Sequence, residues 1–163
     1  VGYARVISKW AGAGTVKVLL ASPEGGTVDD DVVGAAAAHI EAERPVGPAV
    51  TVASAKAKSI AVSAAVSIDG STTAETVQAA LERAAAEYLR GLVRGNFTQN
   101  LDAELDTVSD KTYTVLYNRI AYLLLSIPGV VDYTSLTVGG GTGNITVAAD
   151  ETPVLTEVSV TCS

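Results

Sequence analysis

The chain has 163 residues, of which 48% are hydrophobic and 18% are charged, a balance typical of a globular protein that buries a core. Its formal net charge of −7 argues against nucleic acid as a partner, because a phosphate backbone attracts lysine and arginine. No apolar run approaches the roughly 18 residues of a membrane span, so we expect no insertion into a membrane.

The first part of the chain, residues 1–55, has the pattern of a small β-β-α-β domain. Alternating and β-branched residues predict strands, and apolar residues at helical spacing predict a helix. The glycine-rich segment Ala11–Gly14 lies between two predicted strands, whereas a nucleotide-binding loop lies between a strand and a helix, so we interpret it as a hairpin turn. The predicted elements are strands over Tyr3–Trp10 and Thr15–Ala21, a helix from Asp29–Asp31 to Arg44 with Pro45 as its stop, and a strand from Val50 to about Ala55.

The acids and the histidine of this helix are the first candidates for metal-binding or catalytic residues. Asp29–Asp31 suit the unpaired N–H groups and the positive end of the helix dipole, so we predict that they cap the helix. Consecutive side chains at a helix start point in different directions, which makes a metal site the weaker interpretation. The buried side of the helix is predicted to carry Val33, Ala36, Ala37 and Ile40. His39 faces away from that side, and no G-x-S-x-G elbow is present, so we interpret it as a solvated residue and not as part of a catalytic triad.

Residues 56–163 are predicted to form a second α+β domain, with Lys56–Lys58 at the boundary. Thr72 and Glu75 have the spacing of a capping box and Gly95–Asn96 is a typical helix end, which together predict a long helix. Its apolar face is predicted to consist of Val77, Leu81, Ala84, Tyr88 and Leu92. The other predicted elements are a strand over Ser59–Ile68, a helix over Tyr117–Ile127, strands over Val130–Val138 and Ile145–Val147, a corner at Asp150–Pro153 and a strand over Val154–Thr161.

The fold class predicted from these patterns is α+β. We expect two small consecutive domains, each with a mixed or antiparallel sheet and with helices packed on one face. In the second domain, Pro128 and Gly129 end the helix because proline cannot donate into the helical ladder and glycine accepts the backbone angles of a corner. The turn Gly139–Asn144 joins two strands and opens no helix, so it is not predicted to bind phosphate.

The acidic segment 95–111 is the least clearly patterned part of the chain. Its apolar residues are spaced almost helically, so it is predicted to be a loop with one helical turn or an excursion that faces a partner: Phe97, Leu101, Leu105 and Val108. Asp102, Glu104 and Asp106 could supply paired carboxylates of the kind that glycosidases use. Carboxylates are common on an acidic surface, however, and no aromatic platform for a sugar accompanies them, so the enzyme interpretation is the weakest.

The small number of reactive residues also argues against an enzyme. Cys162 is the sole cysteine and lies next to the end of the chain, which excludes a disulfide within one chain and predicts a frayed terminal residue. One cysteine and one histidine cannot supply the usual ligands of a zinc site. The sequence therefore predicts no catalytic, cofactor-binding or metal-binding residues.

Several short motifs occur in an order that resembles the C-terminal portion of the baseplate J-like family. They are Gly14–Val16, the Arg44–Gly47 corner, Ile127–Val130 followed by Asp132–Tyr133, and Asn144–Ile145 ahead of Pro153–Val154. The resemblance covers the chain from Gly12 to Val160, and the family consists of wedge proteins of contractile-tailed bacteriophages and related tail-like particles. The N-terminal portion of the family is absent, and the chain starts at Val1 without any methionine, so we expect a piece of a longer product.

The resemblance implies a structural role in the ring that links the hub of a baseplate to the tail fibres. It implies other baseplate and tail proteins and further copies of the chain as partners, with no catalytic site, cofactor or small-molecule substrate. The expected location is the baseplate of a virion tail, after synthesis in the bacterial cytoplasm from a phage or prophage. Candidate contact groups are the exposed acids, the turn Gly139–Asn144 and segment 95–111.

A surface-binding or adhesin-like module without catalytic activity is the alternative. Such a module should show an exposed aromatic cluster or an acidic cage for an ion. Aromatic residues make up only 5% of the chain, and the tyrosines mostly fall on predicted helix faces, so this alternative ranks second.

Overall fold

The computed structural model describes residues 1–44, 46–98 and 112–162. These residues form three helices and eight strands, which confirms the predicted α+β class. The elements are β1 (Tyr3–Ser8), β2 (Thr15–Ala21), α1 (Asp30–Glu43), β3 (Ala49–Ser54), β4 (Lys56–Ile68), α2 (Ala74–Thr98), β5 (Tyr113–Val115), α3 (Tyr117–Leu125), β6 (Val130–Val138), β7 (Ile145–Val147) and β8 (Glu151–Cys162). No helix among these residues is long and apolar enough to span a membrane.

The first of two compact units contains residues 1–57, the end of α2 from Leu92 and the segment Ala148–Thr152. Its mixed sheet has the strand order β1-β2-β3, with β1 antiparallel and β3 parallel to β2. A parallel connection needs a crossover, and α1 supplies it and packs against β3. The buried core of this unit joins residues of the sheet to residues of α2: Leu19, Ala21, Ala55, Val93 and Phe97.

The second unit contains residues 58–91, 114–147 and 153–163. Its main sheet has the order β6-β4-β8, with β6 antiparallel to the central strand β4, and β5 pairs with β7 in a separate two-stranded sheet. The predicted alternation along β4 is confirmed, since Ile60, Val62, Ala64 and Val66 are all buried. Helix α3 begins at Tyr117 as predicted but ends at Leu125 and not at Ile127, and its residues Ile120 and Leu124 are fully buried.

Several strand boundaries differ from the sequence predictions. Strand β1 ends at Ser8 and not at Trp10, because Lys9 adopts a left-handed conformation with φ of 56° and starts the turn. Strand β8 begins at Glu151, so the corner predicted at Asp150–Pro153 lies earlier, around Ala149. Strand β5 was not predicted at all, because three residues are too few to show a period.

Helix α2 departs most from its prediction. It starts after Thr73, whose hydroxyl accepts the backbone N–H of Thr76 at 3.3 Å, so the predicted cap at Thr72 is wrong by one residue. It also continues through Gly95–Asn96 to Thr98. A helical glycine costs only about 1 kcal/mol, and burial of an apolar side chain returns roughly 1.5–3 kcal/mol, so the buried Phe97 outweighs the glycine.

The buried stripe of α2 is also shifted from the predicted one. Its members recur at every fourth residue: Val77, Leu81, Ala85, Leu89, Val93 and Phe97. Ala84, Tyr88 and Leu92, which the sequence placed on this face, are half-buried. The predictions for Pro45 and for residues 99–111 lie outside the described residues.

Gly129 is expected to be the most sensitive glycine of the second unit. Its φ is +86°, and an added Cβ would lie 2.7 Å from Thr72 Cγ2 and 2.8 Å from Ser71 Oγ. We expect Gly129→Ala to lower the free energy of unfolding by about 2 kcal/mol, because left-handed strain of roughly 1–2 kcal/mol adds to this clash. Urea denaturation would measure it. Gly140→Ala is the matched control, since its φ is +79° and nothing lies within 4 Å of the added Cβ. Equal losses in both variants would show that the contact with Thr72 contributes nothing.

Candidate protein–protein interface

The polar groups of the first unit mostly hold chain segments together. Arg5 is only 1% exposed and lies on β1 in phase with Tyr3 and Ile7, which pack against the core. Its Nη1 donates to the carbonyl oxygen of Ala149 at 2.9 Å. Burial lowers the pKa of the guanidinium, and the neighbouring Tyr113 acts in the opposite direction. Arg5 therefore fixes the segment Ala148–Thr152 to the first sheet.

The same segment is held by two further residues. Tyr113 donates its hydroxyl to the carbonyl oxygen of Glu151 at 2.8 Å, and burial of the phenol raises its pKa. The backbone N–H of Lys56 donates to the carbonyl oxygen of Asp150 at 2.9 Å, and the Lys56 ammonium lies 2.9 Å from the Asp150 carboxylate. Arg5 was not among the residues predicted to matter, although an arginine in phase with Tyr3 and Ile7 on an otherwise apolar strand face is a signal of a buried charge.

The ion pair between Lys56 and Asp150 gives a pH dependence. A side-chain hydrogen bond from Lys56 lowers the pKa of Asp150, so its stabilising effect is present above the usual aspartate value near pH 4 and is lost as pH falls through the lowered pKa. We expect Asp150→Asn to lower the melting temperature slightly at pH 7 and to match the unsubstituted protein near pH 2. Thermal unfolding at both pH values would measure this, with the exposed Glu24→Gln as control. A difference that persisted near pH 2 would show that the charge is not its source.

The turn Gly139–Asn144 has internal contacts of its own. Val138 and Gly141 exchange backbone hydrogen bonds of 2.8 and 3.2 Å, which close the turn. The Asn144 side-chain oxygen accepts the backbone N–H of Tyr117 at 2.9 Å. Gly140 and the residues that follow it in the turn are exposed. The role of the turn Gly139–Asn144 as a contact surface stays a prediction.

Within the described parts of the chain, the other residues that were candidates for a site do not come together. Asp29 is the N-cap residue of α1 but makes no side-chain capping bond, so the prediction of a capping contact is wrong for it, while Asp30 and Asp31 lie in the first turn as expected. His39 is exposed on α1, and Cys162 is exposed at the end of β8. Within the described ranges, no group of three or more His, Cys, Asp or Glu residues could hold a metal ion. The acids Asp102, Glu104 and Asp106 lie outside those ranges.

Each unit exposes side chains suited to contacts with other proteins. In the first unit Trp10 is 42% exposed, and the Lys17 ammonium lies 5.0 Å from the centre of its ring. In the second unit the exposed apolar side chains are Leu116, Tyr122, Leu125 and Val131. A shallow depression of about 440 Å³ also lies along α2 and is lined by Glu75, Thr76, Ala79, Ala80 and Arg83.

The fold places the chain among α+β proteins built from two compact units. Residues 60–161 match the baseplate J-like protein C-terminal domain, and residues 1–54 match the baseplate J-like central domain. The chain therefore belongs to the baseplate J-like family, which confirms the resemblance seen in the sequence.

Several solved structures contain a similar chain, and one of them illustrates the likeness. It is the cryo-EM structure of the anti-feeding prophage (AFP) baseplate, 6-fold symmetrised, with 12% sequence identity and a TM-score of 0.44. The similar region covers 86% of this chain and 29% of that chain, so this chain spans less than a third of that relative's length. A comparison with curated proteins found no significant match.

Proposed function

We propose that this chain forms part of the baseplate of a phage, prophage or related tail-like particle, where it contacts neighbouring baseplate proteins and further copies of itself. The observation that carries the proposal is the order of the two family matches. The central domain covers residues 1–54 and the C-terminal domain covers residues 60–161, so nearly the whole chain belongs to consecutive parts of one structural family.

The division into domains 1–55 and 56–163 is part of the proposal. The gap between the two family matches supports a boundary near residue 55. The first compact unit nevertheless takes in Ala148–Thr152 and the end of α2, so we expect residues 1–55 to be less stable when expressed alone. The proposed location is the tail end of the particle, after synthesis in the bacterial cytoplasm.

A role in contact and not in catalysis is supported by what the titratable groups do. The shifted pKa values of Arg5, Tyr113 and Asp150 come from burial or from an ion pair, and each of these residues is engaged with the backbone or a side chain of the first unit. Shifted groups of this kind are typical of structural networks as well as of active sites, and these three are all engaged at the segment Ala148–Thr152.

Electron microscopy of intact particles would test the proposed location. Gold-labelled antibodies against this chain are expected to bind at the end of the contractile tail. An antibody against a sheath protein on the same grids controls for particle integrity, and particles from a deletion strain control for specificity. Sheath-labelled particles that never carried the first label at the tail end would rule out the baseplate location.

A further inference from the structure

We propose that the depression along α2 is a surface for self-association. Through it, one copy of the chain binds the same helix face of a second copy in antiparallel orientation. We name this surface the α2 face and define it by Glu75, Thr76, Ala79, Ala80 and Arg83. The inference rests on the proposed function for its setting, because several copies of the chain are expected in one particle. It deepens that function by naming the face and the symmetry of the contact.

The positions of the charges on the helix carry the inference. Glu75, Ala79 and Arg83 are spaced at four-residue intervals, which places them on one side of the helix with each charge about 6 Å along the axis from Ala79. A twofold axis at Ala79 reverses the helix direction. It therefore places Glu75 of one copy opposite Arg83 of the other, and the same pair forms a second time on the other side of the axis.

Both charged groups are available for such a contact. Glu75 and Arg83 are exposed, and neither forms an ion pair with another residue in the described parts of the chain. About 12 Å of helix axis separates them, so they cannot pair within one copy. A parallel arrangement would set Glu75 against Glu75 and Arg83 against Arg83, and this repulsion selects the antiparallel one.

The residues between the charges permit close approach. Ala79 is exposed and Ala80 is half-buried, and side chains of this size let two helices pack at about 8 Å. The surface is small compared with the roughly 1,000 Å² or more of a stable interface, so we expect a weak dimer in dilute solution. Where the particle holds two copies side by side, their high effective concentration strengthens a contact of this size.

Disulfide trapping of the purified chain tests the symmetry. In a Cys162→Ser background, Ala79→Cys places a thiol beside the twofold axis, where the two Cα atoms can come within the roughly 7 Å that a disulfide allows. Ala42→Cys, on the exposed side of α1, is the matched control. We expect Ala79→Cys to form covalent dimers about tenfold faster than Ala42→Cys under mild oxidation. Equal rates would overturn the proposal.

Charge exchange tests the pairing. When Ala79→Cys is combined with Glu75→Arg, or separately with Arg83→Glu, each variant alone should dimerise about tenfold more slowly, because both pairs become like-charged. A mixture of the two variants should recover the rate and yield heterodimers, since every pair is then of opposite charge. Arg90→Glu, which is exposed on the same helix but outside the α2 face, controls for net charge. Circular dichroism checks that each variant is folded.

A mixture that dimerised no faster than its components would exclude the Glu75–Arg83 pairing. These experiments use the purified chain, whereas the location is tested by labelling whole particles. Tail-end labelling without trapping would overturn the self-contact alone, and trapping without tail-end labelling would overturn the baseplate location alone.

Discussion

Replacement of Arg5 by alanine is expected to lower the free energy of unfolding of the first compact unit by about 4 kcal/mol. The substitution leaves the carbonyl oxygen of Ala149 without its donor, which costs roughly 1–3 kcal/mol for a buried group. It also leaves a cavity where a side chain only 1% exposed had packed, and truncations of comparable size cost about 2–5 kcal/mol. Trp10 is the sole tryptophan and lies in the first unit, so its fluorescence during urea denaturation reports on that unit.

Two further variants separate the contributions of Arg5. Arg5→Met fills much of the space without donating a hydrogen bond, so we expect it to lose about half as much stability as Arg5→Ala. Val6→Ala, on the exposed side of the same strand, should change the free energy by less than about 0.5 kcal/mol. If Arg5→Ala were as mild as Val6→Ala, the guanidinium would not be holding the segment Ala148–Thr152.

Replacement of Phe97 by alanine is expected to cost about 3–5 kcal/mol, as is usual for a buried aromatic side chain. Phe97 is 3% exposed and belongs to the cluster that contains Leu19, Ala21 and Val93. Removing the aromatic ring of Phe97 takes away the largest side chain that α2 contributes to the first unit's core. Urea denaturation followed by Trp10 fluorescence would measure the loss, with Arg90→Ala on the exposed side of α2 as control.

The size of the Phe97 effect tests the place of this side chain in the core. The sequence pattern groups Phe97 with the acidic segment 95–111, as a candidate for contact with a partner, and its burial in the core shows that this prediction is wrong for Phe97. If that grouping were right, Phe97→Ala would leave the free energy of unfolding almost unchanged and weaken binding to another baseplate protein. Phe97→Leu, which keeps most of the buried volume, should cost about 1 kcal/mol if the ring packs in the core.

Local sequence patterns are sufficient to predict the elements with long periodic patterns. The alternation of β4 and the helical spacing in α3 survive in the structure because one face of each element is buried, and burial imposes the same period on the sequence. The corner at Gly129 was predictable for a local reason, since its left-handed backbone angle suits glycine. The family resemblance followed from the order of such local signals.

The tertiary structure alone decided the features that depend on distant partners. Arg5 lies 144 residues from the carbonyl that it binds, so no local pattern identifies the partner. Helix α2 passes through Gly95–Asn96 because the core of the first unit receives Phe97, and that gain exceeds the local cost of glycine. Strand β5 exists only through its pairing with β7. In each case the stabilising contact joins residues far apart in the chain, and its free energy outweighs a weak or opposing local preference.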